Sequence, residues 1–429
     1  MIKKKISSNS LFSSASIYVI TQIINASIPF LLLPIITRYL SPEEFGIYSM
    51  FKVIAGLAFS FIGIGINGAI TKIYYEKKKD ELATYIANSF FLVTINSIFM
   101  FIIFGAFPGF ISSASQIPQS WLWSVILVSY GKVLFQVTLV IWQVQNNPFK
   151  YAVFQIVQTI VNFALNLWFV MALYLNWQGA ILAETLAFMI FGIIGLGTLY
   201  KNGWVNFKLN LEDLRHLLKF GAPLIPHAIG MYIITASDRI LITNMVGVAE
   251  TGLYSVGYQI GMIIMILQDS FNKAWVPWLF SNLKNNKQDV EVKIVKFTYF
   301  YFVVIIAAAL LLALIAPWLI SVMAGPEYQS SYQFVIWLAI GYAFNGMYKM
   351  VTNYIFYVGK THYLATVTFL TAIINLVLSY FFIKIWGAVG AAQATAISYL
   401  ISFILTWYIA NKVYKMPWLL SKNKFRENI

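Results

Sequence analysis

Long apolar runs alternate with short polar patches from one end of the chain to the other, and this rhythm predicts the elements. A helix needs about 20 predominantly apolar residues to cross a bilayer. Runs of that kind occupy residues 16–37, 48–70, 86–110, 120–142, 151–173, 178–199, 221–245, 252–279, 297–322, 332–357, 363–383 and 387–411. Within hydrocarbon a helix satisfies its own backbone. The short alternating segments of a β-barrel are missing. The pattern therefore predicts an all-α polytopic membrane protein with twelve transmembrane helices. Composition agrees: 60% of residues are hydrophobic and 10% are charged, more apolar surface than 429 residues hide in a water-soluble core.

Charge refines the picture. The formal net charge is +14, and its placement matters more than its size. Alternate patches hold Lys3, Lys4 and Lys5; Lys72, Lys77, Lys78 and Lys79; Lys150; Lys201, Lys208, Arg215 and Lys219; Lys284, Lys287, Lys293 and Lys296; Lys360; and Lys412, Lys415, Lys422, Lys424 and Arg426. The patches between them hold Arg38 and Lys384. By the positive-inside rule both termini are expected in the cytoplasm. The excess charge then faces an anionic leaflet, and a nucleic-acid partner is not expected. Lys3, Lys4 and Lys5 precede a run that is long and has no small-residue cleavage site, so it reads as the first helix and not as a signal peptide. The chain has no cysteine, which removes disulfides and thiolate metal sites.

The expected organisation is an N-terminal six-helix bundle at 1–200, a cytoplasmic interfacial linker at 201–220, a C-terminal six-helix bundle at 221–411 and a basic cytoplasmic tail at 412–429. In the linker, Phe207, Leu211, Leu214, Leu217 and Leu218 among charges suggest a short helix lying in the interface; a solvated linker is the alternative. Residues 37–49, TRYLSPEEFGIYS, repeat at 243–255 as TNMVGVAETGLYS. At a constant offset Thr37 matches Thr243, Glu44 matches Glu250, Gly46 matches Gly252, Tyr48 matches Tyr254 and Ser49 matches Ser255. Fainter echoes pair Tyr151 with Tyr363, Asn162 with Asn375, and the Gly-Ala runs at 179–180 and 390–391. Six helices bring the chain back to the same side, so the halves are expected to share one orientation about a pseudo-two-fold along the membrane normal, with a central cleft between them. Pro29 and Pro34 in the first run and Pro223 and Pro226 in the seventh are bend points, either gating devices or ordinary features of spanning helices.

A charge at the bilayer centre costs roughly 2.5–3.5 kcal/mol on insertion scales, so charges inside the runs point to function. They are Lys52, Lys132, Glu184, Asp238, Arg239, Asp269, Lys273 and Lys349. The bases outnumber the acids, which predicts a cationic cavity suited to anions such as phosphates, with Lys52, Lys132, Arg239, Lys349 and Lys273 as candidate substrate-binding residues. Glu184, Asp238 and Asp269 are candidates for coupling to a proton or sodium gradient. Bland readings stand beside these: Asp269 and Lys273 are spaced to neutralise each other on one helix face, and Lys52 and Lys273 are placed to snorkel. His227 is either a titrating group or a packed histidine. No cofactor and no metal are expected, because the histidines are few and scattered. Gly63, Gly65 and Gly68 spell G-x-G-x-x-G without a preceding strand, which suggests close helix packing. Gly359-Lys360-Thr361 ends like a P-loop, but Tyr354 stands where the first glycine belongs. An enzyme is therefore not expected.

The stretch PIITRYLSPEEFGIYS, Pro34 to Ser49, resembles the amino-terminal signature of Wzx-type polysaccharide flippases of the multidrug/oligosaccharidyl-lipid/polysaccharide exporter superfamily. Asp238-Arg239-Ile240-Leu241-Ile242 with Gly252-Leu253-Tyr254-Ser255, then Ala274-Trp275-Val276-Pro277, then Gly387-Ala388-Val389-Gly390-Ala391-Ala392, resemble further blocks of that family. The resemblance implies a translocator of undecaprenyl-diphosphate-linked oligosaccharides in the bacterial cytoplasmic membrane, feeding O-antigen, capsule or exopolysaccharide assembly by alternating access. Membrane lipids and other polysaccharide-assembly proteins are the implied partners. It implies a cavity lined by helices 1, 2, 7 and 8, with Lys52 and Arg239 as counterparts of the diphosphate-binding arginines of the related lipid II flippase. A cation-coupled drug antiporter would favour acids over bases, and a membrane polymerase or ligase needs a sizeable outer loop; both remain as alternatives.

Overall fold

A computed structural model describes residues 8–284, 288–360 and 362–420. Lys3, Lys4, Lys5, Lys287, Lys422, Lys424 and Arg426 lie outside the described residues, as do the side chains of Pro29, Pro226 and His227. Every described apolar run is helical, and no strand occurs among the described residues. Among the described residues, ten helical segments are long and apolar enough to span a membrane. The other two expected spans, 221–245 and 252–279, are also long helices. They carry Asp238 and Arg239, and Asp269 and Lys273, which are among the least lipid-compatible residues of the chain. The chain divides into two compact units, Met1–Ala236 and Ser237–Ile429.

The first unit contains α1 (Ser8–Tyr39), α2 (Pro42–Gly63), α3 (Ile66–Ile73), α4 (Lys79–Ala106), α5 (Pro108–Ser115), α6 (Leu122–Val144), α7 (Pro148–Asn166, extended by a π-helical stretch Leu167–Ala172), α8 (Asn176–Lys201) and α9 (Leu211–Gly221). The Ser-Pro-Glu-Glu motif at 41–44 starts α2. The Ser41 hydroxyl accepts from the Glu44 N–H, the Glu44 carboxylate accepts from the Ser41 N–H at 2.9 Å, and Pro42 occupies a position whose N–H has no helical partner. The glycine motif does more than pack. α2 ends at Gly63, Ile64 and Gly65 adopt positive φ of 39° and 66°, and α3 resumes at Ile66. The second span thus breaks within the glycine motif: Gly65 takes the left-handed conformation cheaply, while Ile64 takes it against the usual cost to a β-branched residue.

α6 is the hub of this unit, packing on α2, α3, α4, α7 and α8. Its approach to α8 is close because Gly131 has no side chain: a Cβ there would lie 2.8 Å from the Phe188 backbone. Below it, Phe135, Leu139 and Trp142 of α6 and Phe191 of α8 form a buried cluster, flanked by Phe154 of α7. The expected linker helix is α9. Asn210 caps it, accepting from the Glu212 N–H at 2.9 Å. Asn88 of α4 binds the Lys208 carbonyl and the Asn210 N–H, and Lys77 pairs with Asp213 at 2.6 Å. Leu217 is buried while Leu211 and Leu218 remain exposed, so the helix is amphipathic and fastened to α3 and α4.

α10 (Leu224–Met245) begins in the first unit and ends in the second. The second unit continues with α11 (Val248–Lys284), α12 (Gln288–Met323), α13 (Tyr332–Tyr357), α14 (His362–Trp386) and α15 (Ala388–Val413). Here α13 is the hub, packing on α11, α12 and α15, with α14 against α15. Counted by span, the fourth helix of each half packs on the second, third and sixth. The internal repeat read from the sequence is therefore matched by a repeated packing plan.

Candidate functional site

The charges predicted from the sequence gather into three clusters. The first lies in unit 1. Glu184 on α8 is buried, with 6% of its surface exposed, and two helices reach it: the Lys132 ammonium of α6 donates at 2.6 Å and the Tyr48 hydroxyl of α2 at 3.0 Å. One turn along α2, the Lys52 ammonium sits 4.5 Å from the centre of the Tyr48 ring. A lone carboxylate or ammonium at this depth is prohibitively costly, and pairing with an added hydroxyl is what makes the burial tolerable. Lys132, expected to line a cationic cavity, thus has its charge offset by Glu184, itself expected as a coupling acid.

The second cluster is in unit 2. Asp238 on α10 is 5% exposed. Its carboxylate accepts from the Tyr254 hydroxyl of α11 at 2.7 Å, the Thr395 hydroxyl of α15 at 2.9 Å and the Ser379 hydroxyl of α14 at 3.5 Å. The Asn375 amide donates to Thr395 at 3.4 Å. Neighbouring Arg239 lays its guanidinium 4.1 Å from the centre of the Tyr258 ring.

Tyr48 and Tyr254 are matched residues of the repeat, and each donates to a buried carboxylate of its own half. Sequence reasoning singled out the acids and passed over these donors, although the repeat itself was the signal. The acceptors are not matched. Aligned on the Gly-Ala runs, Thr395 stands where the first half has Glu184. Aligned on the tyrosines, Leu32 stands where the second half has Asp238. The sixth helix supplies the acid in one half and the first helix in the other.

The third cluster joins α11 to α13. Asp269 pairs with Lys349, not with Lys273 one turn away on its own helix, so the expected i, i+4 neutralisation gives way to a bond between helices. Lys273 is exposed. Flanking the pair, Gln268 donates to Asn345 at 3.0 Å and Asn353 donates to Asn272 at 3.1 Å. Among the described residues no group of His, Cys, Asp and Glu is arranged to hold a metal ion.

The sequence profile described as "Polysaccharide biosynthesis protein" matches residues 11–283, well over half of the chain. The chain belongs to the polysaccharide biosynthesis protein family. Among the relatives of this family member are a Lsg locus protein of Haemophilus influenzae, 26% identical over 85% of this chain and 89% of the relative, and the capsular polysaccharide biosynthesis protein CapF of Staphylococcus aureus, 21% identical over 92% and 98%. In fold it is similar to an inward-facing multidrug resistance MATE family transporter of the MOP superfamily, with a TM-score of 0.74 and 14% identity over 92% of this chain and 97% of that one. It is also similar to the lipid II flippase MurJ in an inward closed conformation, with a TM-score of 0.70 and 16% identity over 93% and 87%. This member of the polysaccharide biosynthesis family is a multi-pass membrane protein with the fold of transporters.

Proposed function

We propose that the protein carries a polyprenyl-diphosphate-linked oligosaccharide from the inner to the outer leaflet of the bacterial cytoplasmic membrane, with both termini in the cytoplasm. The observation that carries this reading is the surplus of base over acid within the membrane segments of a polysaccharide biosynthesis protein. Lys132 and Lys349 are offset by Glu184 and Asp269. Arg239 and Lys52, which rest against aromatic rings, and Lys273 bring the count to five bases against the three acids Glu184, Asp238 and Asp269. A diphosphate diester is dianionic at neutral pH and cannot enter about 30 Å of hydrocarbon without a cationic, hydrated surrounding to replace its water. The resemblance to a lipid II flippase in fold and to a capsular polysaccharide protein in sequence supports the same substrate class.

Coupling to a proton or sodium gradient belongs to this proposal. Asp238 is the best placed of the three acids, because its oxygens meet hydroxyls where those of Glu184 and Asp269 meet an ammonium. The test is a reconstituted vesicle assay with a fluorescent undecaprenyl-diphosphate sugar, run beside surface polysaccharide measurements in cells. Arg239→Ala is expected to lower both at least tenfold at unchanged membrane abundance, and Arg239→Lys to retain part. Efflux of cationic dyes without movement of the lipid-linked sugar would overturn the reading in favour of a drug antiporter.

A further inference from the structure

The contact between α11 and α13 is unusual for two membrane helices. Three successive rungs are polar: Gln268 with Asn345, Asp269 with Lys349, and Asn272 with Asn353. Helix packing alone does not require them. The repeat supplies the comparison, because the positions of the second helix that correspond to Gln268, Asp269 and Asn272 are Ile62, Gly63 and Ile66 in the first half. All three are buried, and Gly63 lies close to Val133 of α6. At these three positions the first half has no polar rung; its one side-chain pair along this seam, Asn67 with Gln136 at 2.7 Å, lies one residue further on.

The middle rung is also open to a visitor. The Asp269 side chain is 41% exposed and that of Lys349 28%, whereas the Glu184 side chain of the other ion pair is 8% exposed. A charged pair exposed to that extent in a membrane segment faces water, not acyl chains. Gln268 is fully buried, yet its Oε1 has no hydrogen-bond partner. Beside the open rung, the unpaired amide oxygen is an acceptor with capacity to spare. Amides, a carboxylate and an ammonium, alternating donor and acceptor along one edge, are the groups that bind the adjacent hydroxyls of a sugar ring.

We infer that the α11–α13 ladder, Gln268, Asp269, Asn272, Asn345, Lys349 and Asn353, is a glycan subsite that binds the sugars nearest the diphosphate of the lipid-linked substrate. This rests on the function proposed above and deepens it. The ladder recognises sugar hydroxyls, while the diphosphate is left to other bases, Arg239 among them. Binding exchanges rung-to-rung hydrogen bonds for bonds to the sugar, and the Gln268 oxygen accepts a hydrogen bond from a sugar hydroxyl.

The experiment measures binding to the purified full chain in nanodiscs with two sets of probes: undecaprenyl diphosphate alone, and undecaprenyl diphosphate carrying one hexose, one N-acetylhexosamine or one hexuronate. The wild type is expected to bind at least one sugar-bearing probe about tenfold more tightly than the bare diphosphate. Asn272→Leu with Asn353→Leu, which imitates the apolar packing of the first half, is expected to erase that preference and leave affinity for the bare diphosphate unchanged. Asp269→Asn with Lys349→Gln, which removes both charges together, is expected to weaken the preference with an unaltered melting temperature. If the wild type binds the bare diphosphate but prefers no sugar-bearing probe, or if the Asn272/Asn353 variant keeps the preference, the ladder is structural and the inference is overturned. If the wild type binds none of these lipids, the proposed function itself falls and the ladder's role falls with it.

Discussion

At the scale of single residues, buried charge explains most of what is distinctive here. Glu184→Gln leaves the Lys132 ammonium without its carboxylate and is expected to destabilise the protein by about 3 kcal/mol. The double change Glu184→Leu with Lys132→Leu is expected to restore most of that loss, a comparison readable as denaturation midpoints in detergent. The two tyrosines separate stability from function. Tyr48→Phe and Tyr254→Phe each delete one hydrogen bond to a charged group, worth about 1.5–3 kcal/mol. On the coupling assigned to Asp238, only Tyr254→Phe is expected to change the dependence of transport on the ion gradient, measured in vesicles with the gradient imposed or collapsed. These partners were not legible in the sequence. Asp269 and Lys349 stand 80 residues apart and Lys132 and Glu184 52 apart, and helical periodicity speaks only of neighbours a turn away. It is why Lys273 looked like the natural partner of Asp269.

At the scale of elements, the sequence was far more informative. Each apolar run became a helix because hydropathy acts on every residue of the run, and the Ser41-to-Glu44 motif became a helix start because capping is local chemistry. The break at Ile64 was carried by the same glycines that were read as packing residues; distinguishing the two roles takes backbone angles, which no spacing supplies. Close packing sits instead between α6 and α8. Gly131→Val is expected to prevent stable assembly, since its side chain would strike the Phe188 backbone, while Gly197→Ala, which meets nothing within 4 Å, is expected to leave the melting temperature unchanged. Asn210→Ala removes the cap of α9 at a cost of about 1 kcal/mol and is expected to raise hydrogen exchange in α9 before other helices respond.

At the scale of the whole molecule, the chain's lack of cysteine makes its topology directly measurable. Charge distribution predicts that a single cysteine at Ser113 is labelled by a membrane-impermeant maleimide in intact cells and that one at Lys201 is labelled only after lysis; both positions are exposed. The reverse pattern would invert the proposed direction of transport. The two halves were visible beforehand through a thirteen-residue segment repeated with five identities, and the shared packing plan around α6 and α13 gives that repeat its structural meaning. Their acids tell of a looser inheritance. A phenol kept its place in both copies while the group it serves changed helices, so ancestry in this fold is written in the donors more faithfully than in the charges. A chimera with Thr395→Glu and Asp238→Leu would move the second copy's acid to the helix that carries it in the first, and its response to an imposed ion gradient would show how far coupling depends on the acid's place.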